Sequence, residues 1–504
     1  MQKSGTQKWW ALGAINLSVL AVALDGTILS LVLPTLAKAL KASESNLEWF
    51  SAGYLLVLAA MILPAGFSGD RFGRKKLLLT SLLLFGAGSI LCAYAHSPVA
   101  FLWARILMGA AGAGITVMAL TTITTLFSPK ERPKAIGIFS AANFIGLPLG
   151  PIMGGWMLGH FWWGWVFLIN VPVVLIAFLV ATLLVPESRA VRKPKLDAYG
   201  VIGSSAGLIA LIYGLITAGE RGWGDVKALA SMGLGVCVLA LFWGWEKYLA
   251  KQPGKEPLVD LSLFRSRSYV WGAILAGVMG LAMIGVLFTL PQYYQGVLGA
   301  STMKAGVGLL PLVLGLAVSA GTADTWCKLI GTKFTIMLGF LFVAASSALG
   351  AQTSLASSSS FAVLWSAILG VGVGLALASA NSAALSELSK ERTGSGSAFL
   401  QLLQKTSGPF GATILGSTLA AAYQSRLPLP GLPHQLVAVV HQSVFAGVAV
   451  ADKLGSTSLK HTVRGAFVHG MDTALLVSSG IALAGAVLAL LFVPRKLAVK
   501  PKSI

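Results

Sequence analysis

Residues Trp9–Pro34 read WWALGAINLSVLAVALDGTILSLVLP. As a helix this run is long enough to cross about 30 Å of hydrocarbon, for which about 20 residues suffice. Its one charge is Asp25. A carboxylate at bilayer depth costs roughly 2.5–3.5 kcal/mol on insertion scales. Leu at the same place would cost nothing. Either Asp25 faces an aqueous path and handles an ion or substrate, or it bonds a neighbouring helix and only holds a bundle together. The first reading is preferred, because ionisable groups inside a membrane generally mark such paths.

The rest of the chain repeats this pattern. Its 504 residues are 56% hydrophobic and only 11% charged, with mean hydropathy +0.80. Apolar runs fall near 9–34, 46–66, 77–95, 99–127, 135–160, 163–185, 198–218, 228–246, 269–294, 305–323, 334–351, 361–386, 394–422 and 472–493. The chain therefore reads as an all-α polytopic membrane protein with about fourteen spans. A β-barrel is excluded, because barrel strands alternate apolar and polar residues and these runs do not. The net charge of +20 would suggest nucleic acid in a soluble protein. Here the charges sit in short loops, so no nucleic-acid partner is expected; the lipid bilayer is.

Cys92, Cys237 and Cys327 show no paired spacing, and the six histidines form no metal-spaced pair within a span. Neither a metal site nor a cofactor is expected, and the chain does not read as an enzyme. No stretch resembles a selectivity filter. Lys3 and Lys8 precede the first run as in a signal peptide, but that run is long, charged and without a clear cleavage site. It reads as a retained span.

Lys and Arg set the orientation. With the N-terminus inside, the inward loops and tails hold 26 of the 37 basic residues and the outward loops nine, while Arg105 and Lys405 lie within spans. Both termini are then cytoplasmic. Two polar stretches, Pro186–Asp197 and Glu246–Ser268, flank spans 7 and 8, which read as an insertion. The expected organisation is a six-span bundle over 1–190, linkers with two inserted spans over 191–262, and a second six-span bundle over 263–504. The latter includes a long outer segment, 424–471, read as an amphipathic extracellular element. Two related six-span halves with a site between them is a transporter arrangement.

Several motifs carry a mechanism. Gly66-Phe67-Ser68-Gly69-Asp70-Arg71-Phe72-Gly73-Arg74-Lys75-Lys76 follows span 2. Its glycines permit a tight reversal. Asp70 is suited to accept from backbone N–H groups at a helix N-terminus or to pair an Arg, a clasp that could hold one conformation and release another. In span 5, Gly146, Gly150 and Gly154 share one helix face, and Pro148 and Pro151 remove N–H donors and bend the helix. A smooth, kinked face suits a seam between two sliding bundles; static small-residue packing is the plainer alternative. Arg105 and Asp25 lie at depths compatible with pairing. Arg105 keeps its proton in practice, so it can hold Asp25 ionised until the helices shift.

The Gly66–Lys76 string resembles the signature loop of the major facilitator superfamily. Leu24-Asp25-Gly26-Thr27 with Leu33-Pro34 is similar to the first-span signature of its fourteen-span drug:proton antiporters. Arg105-Ile106-Leu107-Met108-Gly109 resembles their fourth-span motif, with Met108 where Gln is common. Gly146 to Gly155 matches the fifth-span antiporter motif. Trp163 to Pro172 resembles the start of span 6, with Gly164 where Arg is usual. Gly321–Asp324 with Gly331–Lys333 looks like a degenerate copy of the signature loop, and the long outer segment points towards QacA-type exporters.

The resemblance implies the major facilitator fold, with two six-helix bundles plus two inserted helices. It implies proton-coupled efflux of hydrophobic, cationic drugs or antiseptics from a bacterial cytoplasmic membrane by a monomer. An exporter of an endogenous metabolite, lipid or siderophore on the same scaffold is the alternative. The expected proton-coupling residues are Asp25 and Arg105. The expected gating residues are Gly66, Asp70, Arg71, Gly73, Arg74, Gly146, Gly150, Pro151, Gly154 and Gly155. Glu48, Tyr54, Asn143, Gln292, Tyr293 and Asp324 are weaker candidates for lining the substrate path. Lys405 has no role in this reading.

Overall fold

The computed structural model describes residues 5–128, 131–189, 197–252, 257–386, 388, 393–429 and 432–494. Among these the regular elements are all helical. In chain order they are α1 (Gly5–Ala39), α2 (Glu44–Phe72), α3 (Arg74–Ala93), α4 (Pro98–Leu126), α5 (Arg132–His160), α6 (Trp165–Leu168), α7 (Asn170–Leu184), α8 (Ala198–Arg221) and α9 (Val226–Ala250). Then come α10 (Arg267–Gln292), α11 (Thr302–Gly308), α12 (Leu310–Ile330), α13 (Thr332–Gly350), α14 (Ser359–Ser386), α15 (Thr393–Ser425), α16 (His434–Gln442), α17 (Val444–Lys453) and α18 (Thr457–Phe492). Among the described residues, twelve stretches of helix are long and apolar enough to cross a bilayer. The other two expected spans are α5 and α15, helices of 29 and 33 residues that carry glycines, prolines and polar side chains.

Local sequence explains where the helices break. Gly73 alone separates α2 from α3, at φ 117°, a conformation that costs an L-residue energy and glycine little. Gly331 does the same between α12 and α13 at φ 88°, so the degenerate second loop repeats the first one's geometry. Ser43, Ser97, Asp225 and Ser456 cap the starts of α2, α4, α9 and α18 with their side-chain oxygens, each filling one of the unpaired N–H groups of a first turn.

Span 6 is the stretch Trp165–Leu184, within which α6 and α7 meet at Ile169, just before Pro172, whose missing N–H weakens the helix there. The outer segment 424–471 is not wholly a loop. Its last fifteen residues are the start of α18, which runs unbroken from Thr457 into the final span. Val463, Ala466, Phe467 and Gly470 are buried there, at the spacing of one helix face. Only α16 and α17 form a separate element; they pack on each other, and α17 lies against α18.

Helices α1 to α4, α6 and α7 pack chiefly on one another, as do α10, α12 to α15 and α18, while α5 packs on both groups. Between the two groups α2 meets α15, and α5 meets α11, α12 and α14. The inserted α8 packs on α2 and α15 together, and α9 packs on α8. On α9 Leu229, Leu234, Val236 and Leu241 are exposed, an apolar surface of the kind that faces lipid. Near the loops rich in Lys and Arg, here called the basic end, Lys8 Nζ lies 2.6 Å from Glu131 Oε1. That bond, with the Ser128 hydroxyl, holds the Glu131 carboxyl below its ordinary range.

Candidate functional site

Asp25 stands in the middle of α1, and Arg105 lies seven residues into α4. At about 1.5 Å per residue that is roughly 10 Å down the helix. The expected pair forms. Arg105 Nη1 donates to Asp25 Oδ2 over 2.5 Å, with both side chains buried. Arg105 Nε donates to the carbonyl of Phe50 at 3.2 Å, and the guanidinium lies 4.2 Å from the centre of the Tyr54 ring. Asp25 Oδ1 and the Tyr54 hydroxyl have no partner among the described residues. One carboxylate oxygen is thus held and the other left over.

This pair is sealed in the present conformation, contrary to the expectation of an acid open to water. α2 covers it with Phe50 and Tyr54. Asn170, at the start of α7, sits beside the carboxyl and donates to Ser89 Oγ at 3.3 Å. Yet open space is one residue away. Gly26 is exposed, and nothing lies within 4 Å of where its side chain would begin.

The second constellation joins the two helix groups at the basic end. Asp70 Oδ1 accepts from Arg74 Nε at 3.1 Å and Nη2 at 2.8 Å. Its Oδ2 accepts from the backbone N–H of Ser395 at 3.3 Å, in the first turn of α15, where unpaired N–H groups favour an anion. The two options foreseen for Asp70 are both used. Gly66 permits the approach: a Cβ there would lie 2.6 Å from Ala398 Cβ and 2.9 Å from the Gly394 carbonyl oxygen. A Cβ on Gly73 would lie 2.9 Å from Glu187 Oε1. Arg71 is half-buried, 5.5 Å from the Phe72 ring centre.

The span 5 glycines have a different partner from the one expected. Gly146, Gly150 and Gly154 face α1 rather than the second group of helices. A Cβ at Gly146 would lie 2.6 Å from Ala23 Cβ, and one at Gly154 would lie 2.6 Å from Ile28 Cγ1. Glycine spacing specifies a smooth face but not its neighbour. The contact of α5 with the other group runs through Gly137 on Ala320 and Ile152 on Gly306. Gly155 is half-buried, and the side chain of Pro151 lies outside the described residues.

The weaker candidates do not converge. Tyr54 is fully buried under Arg105. Asp324 pairs with Lys328 one turn on and lines a small crevice with Pro133, Thr332 and Ser379. Asn143 and Gln292 are half-buried, Tyr293 is fully buried, and the Glu48 side chain lies outside the described residues. Two further residues went unremarked as site residues. Asn170 lies within the Trp163–Pro172 motif, where a lone amide in an apolar run is its signal. Glu187 accepts from the N–H groups of Lys75 and Lys76 at 3.1 and 3.2 Å, and nothing in its loop marks that target.

The Asp70 contacts between α2 and α15 are open to a direct test. Asp70→Asn keeps the shape but loses charge-assisted bonds, which contribute about 1.5–3 kcal/mol each. The expected result is at least a tenfold rise in the population separated at the basic end, read as spin-label distances between the ends of α2 and α15. An unchanged distance distribution would show that Asp70 closes nothing.

The chain matches the family model of the Major Facilitator Superfamily over residues 15–412. It is 31% identical over 497 residues to a tetracenomycin C resistance and export protein of Streptomyces glaucescens, covering 96% of this chain and 91% of that protein. It is 30% identical over 498 residues to the multidrug efflux pump LfrA of Mycolicibacterium smegmatis, covering 96% of each. Among solved structures, the proton:xylose symporter XylE superposes with a TM-score of 0.62 at 14% identity, covering 98% of this chain and 97% of that one.

Proposed function

Because this chain belongs to the major facilitator superfamily, we propose that it exports hydrophobic small molecules, cationic compounds among them, in exchange for protons. Similarity to a drug-export protein and a multidrug pump along 96% of the chain supports export. The observation that carries the coupling is the buried Asp25–Arg105 pair. A carboxylate so enclosed keeps its charge only while the guanidinium stays, and removing either partner leaves the other uncompensated at a cost of about 3–5 kcal/mol. A shift of α4 against α1 therefore forces Asp25 to take up a proton, and the reverse shift expels it.

On this reading 1–190 and 263–504 are the moving halves, α5 and α15 complete fourteen spans, and the Asp70 clasp holds the basic end shut. That end faces the cytoplasm of a bacterium, and both termini lie there. The protein works as a monomer in the cytoplasmic membrane. The gap at Gly26 is the route by which the pair meets substrate or water.

Gly26→Leu places a side chain in that gap, and its Cβ would have no atom within 4 Å. The expected result is normal insertion with initial export rates at least tenfold lower, measured by dye efflux from energised cells. Undiminished efflux from equally expressed protein would place the route elsewhere.

A further inference from the structure

Lys405 is the charge at membrane depth that the coupling pair and the clasp leave unused. It lies twelve residues into α15, about 18 Å along the helix at about 1.5 Å per residue. Three other basic side chains in the spans or at their ends have carboxylate partners: Arg105 has Asp25, Arg74 has Asp70 and Lys328 has Asp324. Lys405 has none among the described residues. Asp472, a further acid in these spans, sits on α18 near Tyr293, at the opposite end.

Helical register shows where Lys405 points. At 3.6 residues per turn, Gly394, Ala398 and Lys405 fall within about 40° of one another. Gly394 and Ala398 press on Gly66 of α2, so Lys405 faces the seam between α2 and α15, about two turns deeper. It is half-buried. α8 lies over the seam: Ser205 Oγ donates to the Ala60 carbonyl at 3.0 Å, and Thr413 Oγ1 to the Leu215 carbonyl at 2.9 Å.

Beside Lys405 the polar groups are unsatisfied. Gln401, one turn back, is 1% exposed, and its Oε1 has no partner among the described residues. Thr406 Oγ1 has none either. Gln404 Nε2 is already bonded to Asn381 Oδ1 at 2.6 Å. An ammonium without a counter-ion in such a place is unfavourable, and an incoming anion relieves it. Lysine offers three donors on a flexible stem, a point charge that tolerates varied anion shapes.

We infer that Lys405 contacts the substrate and pairs an anionic oxygen, carboxylate or phenolate, on an otherwise apolar or aromatic molecule carried between the halves. The inference rests on the export reading above and specifies its substrate class.

The test uses the purified full-length protein in detergent and in proteoliposomes, with a carboxylate-bearing aromatic dye, a lipophilic monocation and methyl viologen. Affinity comes from fluorescence anisotropy or competition, which needs no transport. With Lys405→Gln, affinity for the anionic dye is expected to fall at least tenfold, with that for the monocation unchanged or raised. Lys405→Arg restores the anionic dye, and Lys405→Glu inverts the preference. In transport, the loss appears in KM rather than kcat. Equal loss for all three probes, or unchanged affinity for the anionic dye, overturns the inference. Should the wild-type protein bind with this preference yet move no probe, the export reading fails while the assignment of Lys405 stands.

Discussion

Asp25→Asn is expected to abolish uphill export, lowering proton-driven efflux by about 100-fold or more, while the protein still inserts and folds, at reduced stability because Arg105 loses its counter-charge. The amide has the same shape as the carboxyl, and it accepts from Arg105 through one oxygen, but it neither binds nor releases a proton. Nothing else in the first helix can substitute, because Asp25 is the only titratable residue between Trp9 and Pro34. Downhill movement of substrate is expected to survive, since the helix seam is untouched. Efflux and counterflow measured on one preparation separate the two. Uphill export at the wild-type rate would remove Asp25 from the coupling.

Arg105→Met is expected to be the more damaging change for the fold. It strips the counter-charge from a fully buried carboxylate and frees the Phe50 carbonyl. Breaking one side of such a pair costs about 3–5 kcal/mol. The double variant Asp25→Asn with Arg105→Met removes both charges and is expected to regain most of that stability while remaining inactive. Thermal unfolding of the wild type, both single variants and the double variant closes the cycle. A double variant no more stable than Arg105→Met alone would mean that the two charges do not act as a pair.

Much of this was legible in the sequence, for identifiable reasons. A single acid in an apolar helix and a single arginine at a matching depth have few ways to be satisfied, so their pairing could be anticipated. Gly73 and Gly331 could be read as reversals because only glycine suits their backbone angles. Asp70 was legible as a group seeking N–H donors, and it finds them in the first turn of α15.

Other features depend on which helix is a neighbour, and sequence spacing does not carry that. The glycine face of α5 was visible, but not that α1 would fill it. Asn170 appeared as one polar residue in an apolar run, with no sign that it would reach Ser89 and the Asp25 carboxyl. The start of α18 looked like loop because Lys460, His461 and Arg464 interrupt its apolar pattern. In the structure its buried face is Val463, Ala466, Phe467 and Gly470, and Lys460 pairs with Asp452 of α17 at 2.7 Å.

The most direct measurement is proton release on substrate binding, made with purified protein in weakly buffered detergent just below neutral pH. Adding a transported compound to the wild-type protein is expected to release protons in proportion to the sites filled, and to release none from Asp25→Asn, which still binds it. The same release from both proteins would contradict the assignment of the exchanged proton to Asp25.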